Sequence, residues 1–399
     1  MNQSSKKHIV ISSYGSISAL GHEKDRIIEN CNLSKSFLSS VSFNNKHYFA
    51  GKVSPETELY VSDFIKSDVK LKRLDRSVIL ALIATDIAMK TAKLDFEKNR
   101  IGVSIGSSRG ATGLFEKYHQ DYLSHNKNET ALLTSPLTTL GNISSSVAQY
   151  IGSKGFVMSH SMTCSTALQA LTNAVAWLKA DMADCFIVGG AEAPLTNFTF
   201  AQVEALGIYS KNTNTEFHCQ PLTSDENPKN TMTLGEGAAI FVVEKKHESE
   251  LQKGDIIVES VGFGFEEIPS ATGLSEKGDT LVSSMKMALE SLTGKTIDAI
   301  VTHSPGTVKG DAAEYAAIEH VFGANKPILF NNKWIIGHTY GASGALNLET
   351  AILLLKGEIE PKLPYPHRFA NKLKPINCVM TNAAGFGGNS SSIILSTCK

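Results

Sequence analysis

The sequence predicts an α/β protein in which helices cover largely buried sheets. Three observations lead there. Short apolar runs alternate with stretches of helical periodicity, no low-complexity linker interrupts them, and the second part of the chain repeats the order of the first.

Taken in order, residues 8–12 read as a strand around Ile9, Val10 and Ile11, and 75–93 as a helix. Strands follow at 101–105 and 156–159. The next helix, 166–180, places Leu168, Leu171, Val175 and Leu178 on one buried face. Strands at 184–188 and 239–243 complete a first series. A second series has strands at 256–261, 298–302, 328–330, 378–381 and 392–395, with helices at 281–292, 312–322 and 345–355. Each series ends in a glycine cluster before its last strand: Gly235-Glu236-Gly237 in the first, Gly385-Phe386-Gly387-Gly388 in the second. This parallel points to a duplication. Lys245, Lys246, His247, Glu248 and Glu250 mark the break, giving halves 1–250 and 251–399.

A chain of 399 residues can bury a large core. With 42% hydrophobic and 19% charged residues and a formal net charge of −1, nothing in the balance favours nucleic-acid binding. No apolar stretch reaches the roughly 18 residues that membrane insertion requires. Residues 1–7 are polar and the apolar run at 9–11 is too short for a secretory signal core, so the expected location is the cytoplasm. The six cysteines at 31, 164, 185, 219, 378 and 398 show neither paired nor metal-ligand spacing and are expected to be free thiols, with no metal. Residues 273–280 have the spacing of a phosphate loop, but Asp279 stands where the lysine is required. No cofactor is expected.

Chemistry concentrates on Cys164, at a turn from a strand into a helix. A cysteine there either packs or reacts; Ser165, Thr166 and Ala167 keep the helix entry narrow and point to reaction. The positive end of the helix dipole is expected to favour its thiolate. His338 opens a helix whose first turns are small (Gly341, Ala342, Ser343, Gly344), and the same dipole is expected to keep the imidazole neutral, able to donate to a developing oxyanion. Lys333 lies five residues earlier, either as nearby positive charge or as a surface lysine. His303 follows a strand end, where functional groups often sit. Asp311 and Glu314 follow it, serving either a helix N-terminus or the chemistry. The amides of 385–388 can converge on an anion. Lys66, Lys70, Lys72 and Arg73 form a basic stretch that either faces solvent or recognises an acidic partner. One activatable sulfur and two imidazoles indicate acyl transfer through a thioester.

As a set these motifs resemble the elongating β-ketoacyl-acyl-carrier-protein synthases of the thiolase superfamily, over essentially the full chain. The resemblance rests on Thr163-Cys164-Ser165, 188–193 (VGGAEA), 234–238 (LGEGA), His303 with Gly306-Thr307 and Gly310-Asp311, Lys333 with Gly337-His338-Thr339, and 385–388. It implies a thiolase-like five-layered αβαβα fold built from two duplicated halves. It also implies that Cys164 carries an acyl group while its own amide and that of the gating Phe386 bind the oxyanion. His303 and His338 would stabilise the enolate left when malonyl-carrier loses carbon dioxide, and the product would be a β-ketoacyl chain two carbons longer. Lys333 would pair with Glu314 and order the histidines, Asp311 would support them, and Thr307 and Arg109 would fall at substrate and pantetheine contacts. The implied partners are an acyl carrier protein, docked on Lys66, Lys70, Lys72 and Arg73, and a second subunit, identical or different.

The chain departs from the family at several places. Ser304-Pro305 replaces Gly-Thr, Arg109 an apolar pocket residue, Ala384 a phenylalanine and Asn347 a glutamate. These fit a specialised polyene or polyketide-like pathway better than housekeeping fatty-acid synthesis. A non-catalytic chain-length partner would lack Cys164, a thiolase would carry a second cysteine in the 385–388 cluster, and a priming synthase would have asparagine at 338. The retained Cys164, His303 and His338 favour the condensing enzyme.

Overall fold

The computed structural model describes residues 6–43, 45–95, 99–124, 129–212, 216–268, 273–369 and 375–398. The first half runs β1 (Lys7–Ile17), α1 (Lys24–Asn32), β2 (Ser39–Phe43), β3 (Lys46–Ala50), α2 (Pro55–Ser67), α3 (Arg76–Met89), β4 (Ile101–Gly106) and α4 (Thr112–Ser124). It continues with α5 (Thr134–Thr138), α6 (Asn142–Ile151), β5 (Val157–His160), α7 (Thr166–Lys179), β6 (Cys185–Glu192), α8 (Asn197–Ala205) and β7 (Gly237–His247). The second half runs β8 (Ile256–Phe265), α9 (Asp279–Glu290), β9 (Ala299–Val301), α10 (Val308–Phe322), β10 (Ile328–Phe330), α11 (Lys333–Ile336), α12 (Ser343–Leu355), β11 (Cys378–Gly385) and β12 (Asn389–Thr397).

Among the described residues, ten strands form one mixed sheet in the order β10-β9-β11-β12-β8-β1-β7-β6-β4-β5. Its two sides mirror each other. β4 runs parallel to β5 and β6, as β9 does to β10 and β11. β7 lies antiparallel between β6 and β1, as β12 does between β11 and β8. The two five-strand sets meet at a seam only three residue pairs long, Ile9–Val258, Val10–Ile257 and Ile11–Ile256.

Alternation along the strands explains the layers. Phe186, Val188, Phe241 and Val243 of the first set, and Val301, Val379, Ile393 and Leu395 of the second, face a central layer made by α7 and α12. The intervening Ile187, Ile240 and Val242 face α3 and α6. On the far side Ile300, Met380 and Ile394 face α9 and α10. The result is the five-layered αβαβα arrangement, with both sheet sets covered on both faces. Because α12 is covered by sheets and helices on every side, all thirteen of its residues are buried. Gly344 lets α12 sit against α7: a Cβ there would lie 2.8 Å from Leu168 Cγ.

The 273–280 segment, whose phosphate-loop spacing Asp279 already ruled out, folds onto Glu266: the Ser275 and Thr280 amides both donate to its carboxylate. Just beyond the basic stretch, the next arginine is not left to solvent. Arg76 at the start of α3 turns inward and binds Glu236 and Glu58 through four hydrogen bonds of 2.6–3.0 Å. Glu236, in the first glycine cluster, is buried and also accepts from the Val53 amide. Removing one partner of a buried ion pair leaves an uncompensated charge, so Arg76→Met is expected to cost about 3–5 kcal/mol, and adding Glu236→Leu to recover part of it. Denaturant midpoints of the two variants check this.

Candidate functional site

Cys164 lies between β5 and α7, held by a tight local turn. Thr163 takes φ +49°, a left-handed conformation costing a non-glycine residue roughly 1–2 kcal/mol. The turn is braced from within, since Thr166 Oγ1 donates to Thr163 O (2.5 Å) and accepts from Met162 N (2.8 Å). It is braced from the other half by the β11–β12 hairpin. Thr163 Oγ1 donates to Phe386 O (3.2 Å), Asn389 Nδ2 donates to the same oxygen (3.1 Å), and Ser165 Oγ donates to Asn389 Oδ1. Gly385 must be glycine here, because a Cβ would lie 1.8 Å from Thr163 Oγ1 and 3.1 Å from Cys164 N. Gly387 and Gly388, at φ +92° and +78°, turn the hairpin.

The first glycine cluster positions His338. Its backbone N donates to Thr233 O (2.7 Å) and its O accepts from Gly235 N (3.0 Å), a short bridge that pins the loop across the two halves. His338 Nε2 then lies 3.1 Å from Cys164 Sγ. The His303 ring stands 5.5 Å from the His338 ring, nearly perpendicular to it. Both rings are buried.

His303 leaves β9 on a loop tied to the Glu314 carboxylate. The His303 amide (2.9 Å), the Ser304 amide (2.6 Å) and the Ser304 hydroxyl (2.7 Å) all donate to it, and Asn382 Nδ2 adds a fourth bond at 3.1 Å. The departure at Ser304 thus gives the loop one more bond to its anchor. Asp311 accepts from Gly306 N (3.0 Å) and Leu222 N (2.8 Å), fixing the next turn. Thr307 Oγ1 caps α10 by accepting from Gly310 N and lines a cavity of about 20 Å³, room for a water. Asn347 donates to Thr302 O and Asn382 O, and Ala384 faces the outer α9–α10 layer, away from Cys164.

Lys333 is buried at the first position of α11, and its Nζ has no hydrogen-bond partner among the described residues. The expected pairing with Glu314 is therefore not formed: that carboxylate is fully occupied by the 303–304 loop and Asn382. Nδ1 of His303 and Nδ1 of His338 are likewise buried without partners among the described residues. Three orphaned polar groups around one sulfur mark a place built for something other than protein.

Burial dominates the electrostatics. It holds both imidazoles well below their ordinary pKa, with Lys333 adding to the effect. They are neutral for this reason, not through a helix end, because a 3₁₀ turn separates His338 from the start of α12. Burial brings Lys333 down to about 8, against the field of Glu314. It pushes the Cys164 thiol up to about 12, with Glu192 adding and Lys333 opposing. The expectation of a resting thiolate is thereby corrected: desolvation favours the thiol, which meets a neutral imidazole acceptor.

Glu192, at the end of the apolar strand β6, had no role assigned from sequence. It accepts from Ser107 Oγ (2.9 Å), Ser108 N (2.7 Å), Arg109 N (3.2 Å) and Gly341 N (2.9 Å), clasping the loop after β4 to the segment after His338. Tyr340, also unforeseen, packs edge-to-face on the His338 ring at 5.5 Å. A charged residue closing a wholly apolar strand is the signal that marks Glu192.

Lys72 and Arg73 line a surface hollow of about 400 Å³ with Lys117, Leu114, Tyr118, Leu132 and Leu133. Lys70 lies in the 3₁₀ turn beside them, and Lys66 pairs with Asp63 at 2.8 Å. Among the described residues no cluster of His, Cys, Asp and Glu could hold a metal, and no helix is long and apolar enough to cross a membrane.

Residues 6–249 match the beta-ketoacyl synthase N-terminal domain family and residues 257–365 its C-terminal domain family. The 3-oxoacyl-[acyl-carrier-protein] synthase 2 of Staphylococcus aureus (strain COL) is 25% identical over 411 residues, covering 98% of each chain. Among solved structures, the ishigamide ketosynthase/chain length factor superposes with a TM-score of 0.84 at 21% identity, covering 99% of this chain and 100% of its own. A type II polyketide-synthase acyl-carrier protein in complex with its ketosynthase, bound to the hexaketide, gives 0.81 at 20%, covering 98% and 100%.

Proposed function

This chain belongs to the beta-ketoacyl synthase family, and on that premise we propose that it condenses a carrier-bound malonyl group with an acyl group held on Cys164. The observation that carries the reading is the 3.1 Å contact between Cys164 Sγ and His338 Nε2, with the second imidazole of His303 beside it. The sulfur attacks the acyl thioester of the carrier's phosphopantetheine, His338 takes up the thiol proton, and that proton passes to the departing pantetheine sulfur. The Cys164 and Phe386 amides hold the oxyanion. With the sulfur acylated, both neutral imidazoles donate to the malonyl thioester oxygen. The carbon–carboxylate bond breaks, carbon dioxide leaves, and the resulting enolate carbon attacks the acyl carbonyl, expelling the Cys164 thiolate, which takes a proton from solvent to regain the resting thiol. Offering a panel of acyl-carriers with malonyl-carrier and reading the products by mass spectrometry tests this. A two-carbon extension that requires Cys164 is expected, and no extension of any primer overturns it.

Lys333 supplies positive charge to this centre. Its folded-state pKa is lowered to about 8, so the ammonium form is lost as pH rises through that value. In a Cys164→Ala background, where the thiol does not contribute, malonyl-carrier decarboxylation is expected to fall above about pH 8. Lys333→Arg is expected to carry the falling limb beyond the measured range. A rate that stays flat from pH 7 to 10 without the substitution counts against the assignment.

The carrier docks on the basic hollow at Lys72, Arg73 and Lys117, with Lys66 and Lys70 contributing longer-range attraction. The reaction uses no dissociable cofactor, since the carrier's pantetheine delivers both substrates. A second subunit pairs along β5, an edge strand beside which Phe156, Val157 and Met162 are exposed; a second copy is favoured, and a distinct chain-length subunit is the alternative. The ketosynthase/chain length factor and the ketosynthase–acyl-carrier protein complex among the structural relatives support a partner of each kind. We place the enzyme in the cytoplasm, in a specialised pathway.

A further inference from the structure

Strands β9 and β10 run parallel with Val301 beside Phe330, so their C-terminal ends deliver two loops side by side, one carrying His303 and the other Lys333. The first residue after β10 is Asn331, fully buried between them. An asparagine side chain offers two donor hydrogens and an acceptor oxygen, and here all are used. Nδ2 donates to Thr302 Oγ1 and to Ser304 O, both at 3.0 Å, and Oδ1 accepts from the Lys333 amide at 2.8 Å. The other supports of the loop are one-sided. Glu314 accepts from the amides of His303 and Ser304, and Asn347 donates to Thr302 O, but among the described residues neither is hydrogen-bonded to Lys333. Nδ1 of the His303 ring has no partner of its own there, so the peptides on either side of His303 aim the ring. His338 is held separately, by Thr233 O and Gly235 N.

We infer that Asn331 is a positioning residue for the malonyl step alone: it fixes His303 against the Lys333 segment, so that this ring meets the malonyl thioester oxygen together with His338. The inference deepens the condensing-enzyme reading and rests on it. The enolate oxygen must receive from two rings at once, and a ring displaced by about 1 Å forfeits roughly a hundredfold in rate. Acylation of the sulfur draws instead on His338, whose bonds to the first glycine cluster do not pass through Asn331.

The test separates the two half-reactions on one protein. Cys164 is loaded from a butyryl- to dodecanoyl-carrier series and followed by intact mass; malonyl-carrier is then added and loss of the acyl adduct is timed. The wild type is compared with Asn331→Ala, Asn331→Ser, His303→Ala and the double variant Asn331→Ala/His303→Ala. Asn331→Ala is expected to load within about twofold of the wild type and to discharge its adduct to malonyl-carrier about 10- to 100-fold more slowly. Asn331→Ser, which keeps a hydroxyl at that place, should fall between the two and supplies the reading if the alanine variant does not fold. In the double variant, Asn331→Ala should add less than about threefold to the loss caused by His303→Ala, because a residue that acts through another has nothing left to position. Normal discharge by the Asn331 variants overturns the inference. So does equal slowing of both half-reactions, which would make the residue a general packing element, and so do losses that multiply in the double variant. A wild type that takes up no acyl group, or never discharges one to malonyl-carrier, defeats the condensing-enzyme reading itself, a separate outcome.

Discussion

Cys164→Ala takes up no acyl group, and its elongation rate falls by roughly 10⁴-fold or more, the scale on which loss of a nucleophile is felt. The residue has no substitute. Of the other buried thiols, Cys219 lies near enough for its field to reach Lys333, but among the described residues neither it nor Cys185 or Cys378 contacts a histidine as Cys164 does. The variant is nevertheless not inert. Its imidazoles and Lys333 rest on Glu314, Asn331 and the 233–235 bridge, none of which involves the sulfur, so malonyl-carrier is still decarboxylated. Intact mass after incubation with acyl-carrier, together with release of carbon dioxide from malonyl-carrier, reads both halves of this expectation. An acyl adduct on the variant would dismiss Cys164 as the attachment point.

Replacing the imidazoles separates the two steps differently. His303→Ala is expected to load acyl groups at near the normal rate but to lose condensation by about 10²–10⁴-fold, the range for removing an oxyanion donor or a positioned acid–base group. His338→Ala is expected to lose condensation to a similar degree and to load more slowly as well, because its Nε2 is the acceptor facing a thiol that burial holds at about 12. The loading defect should shrink as pH rises, since deprotonation by solvent then replaces the missing acceptor. Normal elongation in both variants would show that enolate stabilisation resides elsewhere.

Much of this was legible in the chain, for physical reasons that differ from element to element. All ten strands of the large sheet stand out because most are buried on both faces and read as unbroken apolar runs, as at 185–192 and 378–385. The buried helices α3, α7, α9, α10 and α12 follow from their apolar repeats. What escaped notice is the outer structure. The β2–β3 hairpin and helices α1, α4 and α8 bury few residues, and their patterns are diluted by exposed polar and apolar positions alike. α2 was legible in principle: Ser54 accepts from the Thr57 amide, and Pro55 and Glu56 begin the helix. In the site, Cys164, His303, His338 and Lys333 were found as residue types in short motifs. Their ionisation was misjudged because a sequence shows helix ends but not how completely a group is dried. The pairing of Lys333 with Glu314 was what the family resemblance implied, and a string of residues cannot show that backbone amides had already claimed the carboxylate.

The join between the two five-strand sets has a mechanical meaning. The sulfur rides on one set and both rings on the other, and the strand seam between the sets is only three residue pairs long, so the seating of α7 on α12 at Leu168 and Gly344 helps the cross-half hydrogen bonds hold them in alignment. The core there acts as a calliper whose jaws close on the reacting atoms. A methyl group inserted at that fulcrum would pry the jaws apart, and a misplacement of about 1 Å is enough to cost a hundredfold in rate.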